Sequence, residues 1–269
     1  MLVIIMKGQL SSELERELLS RAEEFAKELI ECRLDWASCV YEALGDREIA
    51  DELREKVAKH ARDVETPYKA EIYYRAIGKL DEAIKAWKEY ADKKAADRAF
   101  GLAAEAYERI AEICREQGKL EESNRYYEMA GDFYLEYAKL YAKSDIKWYK
   151  IKKEWEVWFE KADRAYRMAG KEEKAKKAWE TMVEILRNVA NKKLEEYLEF
   201  GKEIQLLGEA IHLYEKIAEI YAVRIKDPEK AKEAWAIEGL LIFAAENRKT
   251  AEYIERLAIR HVLEKVYEE

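Results

Sequence analysis

The sequence predicts an all-α protein, built as an array of antiparallel helix hairpins. Three observations carry this. Gly and Pro together fill 12 of 269 positions, and Asn, Ser and Thr add only 13 more. That is too few for turn-rich sandwiches, barrels or alternating α/β folds. Apolar residues recur at spacings of three and four, the period of a helix with one buried face. A glycine–small–aromatic pattern returns along the chain. An apolar content of 49% is ample for a packed core and excludes disorder. No GxGxxG or GxxxxGK[ST] phosphate loop occurs.

The elements follow from their start and stop signals. Ser12 and Glu15 form a capping box that opens a helix running to Leu44, where Gly45 stops it. Asp46 caps the next, over 47–64. Thr66-Pro67, an N-cap followed by a proline at the first helical position, opens 67–77, which ends at Gly78. Helices follow over 80–94, 96–117 up to Gly118, 119–143, 146–169 up to Gly170, 171–190 and 192–225. Asp227-Pro228 repeats the cap-and-proline signal for 228–246, and 249–268 closes the chain after Asn247. In 146–169, Trp148, Ile151, Trp155, Trp158, Phe159, Ala162, Tyr166 and Ala169 make one apolar stripe, expected in the core. Met1–Met6 is apolar but far shorter than the roughly 20 residues a membrane span needs, and is expected to dock or fray.

The repeat runs Gly78-Lys-Leu-Asp-Glu-Ala83-Ile-Lys-Ala-Trp87, then Gly118-Lys-Leu-Glu-Glu-Ser123-Asn-Arg-Tyr-Tyr127, then Gly170-Lys-Glu-Glu-Lys-Ala175-Lys-Lys-Ala-Trp179. A fourth copy is Lys226-Asp-Pro-Glu-Lys-Ala231-Lys-Glu-Ala-Trp235. The small residue lets two helices approach, and the aromatic one turn later fills the gap to the neighbouring pair. Each copy is therefore a helix–turn–helix hairpin, and stacked hairpins share a continuous core. An aromatic precedes the glycine by four at Tyr74 and Tyr166, while Cys114 and Ala222 hold that place in the other copies.

These residues resemble the helix junction of tetratricopeptide repeats, over about 68–246. The copies are spaced more widely than that family's repeat of about 34 residues. Ile217-Ala-Glu-Ile-Tyr221 with Lys226–Ala231, and Ala111–Leu120, look like hairpins of soluble NSF attachment proteins. The resemblance implies a right-handed superhelical α-solenoid without catalysis, binding protein partners. It also implies an acidic, leucine-bearing C-terminus, which Leu263 and Glu268 would supply. The division that follows is 1–66 as an N-terminal hairpin continuing the array, 67–246 as the repeats and 247–269 as a capping helix.

Chemistry is sparse. Three histidines exist, at 60, 212 and 261. Glu209-Ala-Ile-His212 is a lone ExxH where a di-iron bundle needs two, so a metal- or ligand-binding enzyme around His212 is the rival reading. Cys32 and Cys39, seven apart, are expected on one face of one helix as small core residues. With Cys114 they make no disulfide framework, which fits a reducing cytoplasm. Abundant Lys and Glu with few amides fit a thermophilic source. No cofactor or metal ligand set is apparent.

Charge is more informative. The chain carries a net −8, which disfavours nonspecific nucleic-acid binding. Yet 146–192 holds 13 basic against 8 acidic residues. On helix 146–169, Lys150, Lys153, Arg164 and Arg167 share an arc of roughly 100° with Tyr149 and Val157, opposite the aromatic stripe. That arc is the candidate groove for an acidic peptide, helix or partner domain. The rival use of the same basic segment is nucleic-acid regulation.

Overall fold

The structure, a computed structural model, describes residues 12–143, 148–200, 204–246, 259–260 and 262. Of helical residues 12–15, 32, 143, 148–155 and 200 the backbone alone is described. Among the described residues there are eleven α-helices and no strand: α1 Ser12–Cys32, α2 Leu34–Leu44, α3 Arg47–Asp63, α4 Pro67–Ala76, α5 Leu80–Ala96, α6 Phe100–Glu116, α7 Leu120–Lys143, α8 Trp148–Met168, α9 Glu172–Phe200, α10 Ile204–Glu219 and α11 Pro228–Glu246. A π-turn, Ile220–Ile225, extends α10. The chain divides within α7 into two compact units, 1–130 and 131–269. Inside each unit helices pack on their sequence neighbours across connections of one to three residues, which forces antiparallel hairpins.

The turns repeat one geometry. Gly45, Gly78, Gly118 and Gly170 sit in the left-handed region at φ +91°, +72°, +75° and +71°. The next amide then donates to a carbonyl five residues back: Asp46 to Tyr41, Lys79 to Tyr74, Lys119 to Cys114, Lys171 to Tyr166. This arrangement satisfies the orphan carbonyls of a helix end. The fourth sequence copy, without a glycine, does the same with Lys226 at φ +61°. There the Asp227 amide reaches Tyr221, six residues back, because the π-turn adds one residue. The residue matching Tyr74 is therefore Tyr221, not Ala222 as simple spacing suggests. Tyr41, Tyr74, Cys114, Tyr166 and Tyr221 are all buried.

The structure also supplies a copy that the pattern search passes over. Five residues beyond each left-handed position stands a small residue with no exposed surface: Ala50, Ala83, Ser123, Ala175 and Ala231. Four further on come Arg54, Trp87, Tyr127, Trp179 and Trp235, so the first hairpin, α2–α3, hides because Arg54 replaces the aromatic. Each hairpin contributes to a buried cluster, Tyr41 with Ala50, Tyr74 with Ala83, and Tyr221 with Ala231. The stripe expected in α8 is buried at Phe159, Ala162, Tyr166 and Ala169, with Trp158 partly so. Trp148, Ile151 and Trp155 lie outside the described side chains.

Helix boundaries differ from the sequence reading at Arg33 and over 190–204, where α9 ends at Phe200 and α10 begins at Ile204 inside the single helix expected over 192–225. The single helix expected from Ser12 to Leu44 breaks at Arg33 (φ −144°, ψ 68°). In one straight helix Leu29 and Tyr41 would stand about 18 Å apart. The break folds α1 back, so Ala26 and Leu29 join Ala37, Tyr41, Ala50 and Leu53 in one core. Cys32 and Cys39 are thereby on different helices, and Cys39 is exposed, so the expected shared core face does not exist. The boundary expected near 190 is absent, because α9 runs on to Phe200. Asn191, a residue that usually favours caps, stays helical and buried while Tyr214 of α10 donates to its side chain at 2.9 Å. Thr66 precedes α4 as expected, but its hydroxyl donates back to the Ala61 carbonyl at 2.8 Å instead of capping.

Candidate protein-interaction surface

The first helices of the five hairpins, α2, α4, α6, α8 and α10, are superimposable by register on the left-handed residue that ends each of them. Eight residues before it the side chains are Ala37, Ala70, Ile110, Ala162 and, allowing for the π-turn, Ile217, all without exposed surface. Six residues before it stand Cys39, Ile72, Glu112, Arg164 and Glu219, all exposed or half-exposed. The inward position is uniformly apolar. The outward one is in turn thiol, aliphatic, acid, base and acid.

Arg164 and Val157 lie on the outward face of α8, two turns apart, and both are exposed. Arg167 is on the same helix but engaged within the chain: its Nε lies 3.0 Å from both Asp163 oxygens and its Nη1 2.5 Å from Glu172. The hydrogen bond it donates to Asp163 holds its pKa above the ordinary arginine value, against partial desolvation. Tyr149, Lys150 and Lys153 belong to the first turns of α8, and their side chains lie outside the described residues.

Arg167 occupies the register of Arg75, and Asp163 that of Glu71. Sequence reading passed over Glu71, which is the most connected side chain of the first unit. It is 2% exposed. Oε1 accepts from Arg75 Nη2 at 2.8 Å and Arg109 Nη2 at 2.6 Å. Oε2 accepts from Arg109 Nε at 2.9 Å and Trp87 Nε1 at 2.8 Å. Arg109 also bonds Glu112 at 2.6 Å, and Arg75 pairs with Glu116. Burial alone would push the Glu71 carboxyl upward, but the donors from Arg109, Arg75 and Trp87 outweigh it and hold the group below the ordinary glutamate range. The cluster ties α4, α5 and α6 together. Its sequence signal is a glutamate in a stripe where the hairpins on either side place Ser38 and Ala111, both buried.

The ExxH pair does not converge. Glu209 is buried beside Lys193 Nζ at 3.3 Å and Gln205 Nε2 at 3.0 Å, whereas His212 Nδ1 lies 2.9 Å from Glu215. Among the described residues no group of three His, Cys, Asp or Glu side chains could hold a metal ion. An open cleft of about 250 Å³ beside Pro67 is lined by Arg62, Asp63, Glu65, Glu89, Tyr90 and Lys93. Its charges pair with one another, Lys93 with Glu65 and Arg62 with Asp63 and Glu89. Among the described residues no helix is long and apolar enough to cross a membrane.

Helix hairpins joined by one repeated turn, with a constant inward and a varied outward register, define an all-α helical-hairpin repeat fold. No family model matches the chain, and no curated protein matches it in sequence. Among solved structures it is similar to one from Podosopora anserina, assigned as a kinesin light chain with nearly identical TPR-like repeats. The two share 13% identity, the match covers 87% of this chain and 97% of that one, and the TM-score is 0.32.

Proposed function

We propose that the chain is a non-enzymatic scaffold that holds partner proteins on the outward faces of its first helices. The observation that carries this is the register itself. Positions eight before the turn are all buried and apolar, while positions six before it are all open to solvent and differ in chemistry from hairpin to hairpin. A packing role alone places no demand on the outward residues. An array of rigid helices bearing different side chains is how such folds recognise a partner.

On α8 the arc of Tyr149, Lys150, Lys153, Val157 and Arg164 is basic with an apolar element, which suits an acidic peptide or helix. Arg167 belongs to the same arc and pairs within the chain with Asp163 and Glu172. The free thiols Cys39 and Cys114 fit a reducing cytoplasmic setting. The test uses a labelled amphipathic peptide whose polar face is glutamate. Reversing Lys150, Lys153 and Arg164 to Glu should abolish its capture while helical circular dichroism is unchanged. Capture that survives the reversal removes the α8 assignment.

A further inference from the structure

α11, the second helix of the last hairpin, has the composition of an internal helix. From Ala234 to Ala245 Glu238 is its one charged residue. A helix that is apolar on all sides is normally covered on all sides. Here one side is covered. Ala231, Ala234 and Leu241 belong to the main buried cluster of the second unit, and Ile259 and Val262 from the segment that follows join the same cluster. On the other side Trp235, Leu240, Ile242 and Phe243 keep 46%, 40%, 38% and 49% of their surface exposed. At 3.6 residues per turn these four fall within an arc of about 160°, together with Ala236 and Gly239, which are also exposed. One helix thus joins them into a contiguous patch, which single exposed apolar residues are not.

Gly239 marks the centre of the patch. Trp235, Ala236, Ile242 and Phe243 stand three and four residues to either side, the positions that surround a residue on a helix surface. Glycine is a poorer helix former than alanine, and nothing within the chain calls for it here. It does not take the left-handed backbone of the turn glycines, and no neighbouring group lies within 4 Å of the place a Cβ would occupy. A gap between bulky side chains lets a second helix come close. The ends of the patch carry opposite charge. Lys232 and Glu246 stand seven residues before and after Gly239 on the same arc, both exposed. Lys232 pairs with exposed Glu229 at 2.8 Å, a contact of small worth. A central gap, bulky groups on both sides and opposite charges at equal distances make a surface complementary to itself turned end over end.

We infer that α11 pairs with α11 of a second copy of this chain, antiparallel, across a two-fold axis at Gly239. The Trp235 end of each copy then covers the Phe243 end of the other, and Lys232 of each meets Glu246 of the other. The stripe from Lys232 to Glu246 is about 21 Å long. That is a small interface beside those of permanent dimers, so the copies should associate over roughly 1–100 µM. The pairing goes beyond the peptide capture proposed for α8 and does not rest on it.

Sedimentation equilibrium of the full chain across that concentration range should show monomer passing to dimer. Trp235→Ser with Phe243→Ser should weaken the association by at least about tenfold, and Gly239→Leu should weaken it by filling the gap. These positions are exposed, so circular dichroism should match the parent. Lys232→Glu and Glu246→Lys should each weaken self-association. Mixed together, those two variants should pair with each other, because each brings the charge that the other needs. The charge reversal on α8 should leave the dimer unchanged. The inference is overturned if the chain stays monomeric throughout, if it forms assemblies larger than a dimer, if the two serine substitutions leave association intact, or if the mixed charge variants do not pair.

Discussion

The indole Nε1 of Trp87 donates to Glu71 Oε2 at 2.8 Å, from α5 to α4 across sixteen residues. The same separation joins Trp179 to Asp163, but no bond forms there. Trp179 is fully buried and its Nε1 has no hydrogen-bond partner among the described residues, while the Arg224 guanidinium stacks over its ring at 4.8 Å. Aspartate is one methylene shorter than glutamate and is already held by Arg167. Trp87→Phe should therefore destabilise the chain by about 1–3 kcal/mol, the usual worth of a hydrogen bond to a charged group. Asp163→Glu should stabilise it by about 1 kcal/mol by offering Trp179 an acceptor. Urea midpoints at constant slope measure both. A Trp87→Phe variant of unchanged midpoint would refute the account of the cluster.

Glu71 also gives stability a pH dependence. Its folded pKa is depressed, so its contribution is complete above the unfolded glutamate value of about 4.3. That contribution is lost as pH falls through the lower folded value. Between about pH 5 and 3 the parent should lose more stability than Glu71→Gln, and the two denaturation curves should converge at the acid end. Parallel curves would show that the buried carboxylate is not the titrating group.

Gly131 of α7 has no room for a side chain. A methyl group there would lie 2.7 Å from Cδ1 and Cε1 of Tyr166. The tyrosine cannot swing aside freely, because it is 2% exposed and its hydroxyl donates to Asp132 at 2.7 Å. Gly131→Ala should cost about 1–3 kcal/mol through overpacking, although alanine is the better helix former. Thermal unfolding decides the sign; a higher melting temperature contradicts the contact.

Arg98, in the turn between α5 and α6, and Lys226, in the last hairpin turn, hold a left-handed backbone at φ +59° and +61°. Replacing either with glycine should raise stability by about 1 kcal/mol. Neither residue stands on α8, so binding of the glutamate-faced test peptide should be unaffected.

The hydroxyl of Tyr214 donates to Asn191 at 2.9 Å with both groups buried. Asn191→Ala should cost about 1–3 kcal/mol, because it removes the acceptor of a buried hydrogen bond. In Tyr214→Phe background the same change should cost much less. A double-mutant cycle with no coupling energy would remove this bond from the account.

What the amino-acid order determines is local. Gly45, Gly78, Gly118 and Gly170 mark left-handed turns because only glycine takes that backbone without steric cost. Helical period marks which faces are buried, and the small residues at 83, 123, 175 and 231 mark where two helices touch. Those signals sit within one turn of the residues that obey them. The tertiary structure decided what depends on distant partners. The helix breaks at Arg33 because Leu29 gains more by meeting Tyr41 than by continuing straight. Asn191 stays helical because Tyr214 answers it. The π-turn restores Tyr221 to the place of Tyr74, shifting the register by one residue that spacing alone assigns to Ala222. Arg167 reads as a free cation on a helical wheel, yet Asp163 and Glu172 hold it. Glu71 reads as one glutamate among many until Arg75, Trp87 and Arg109 converge on it from three helices. Periodicity encodes which side of a helix faces inward. Which charges meet across helices is set by packing, because the partners lie as many as 64 residues away along the chain.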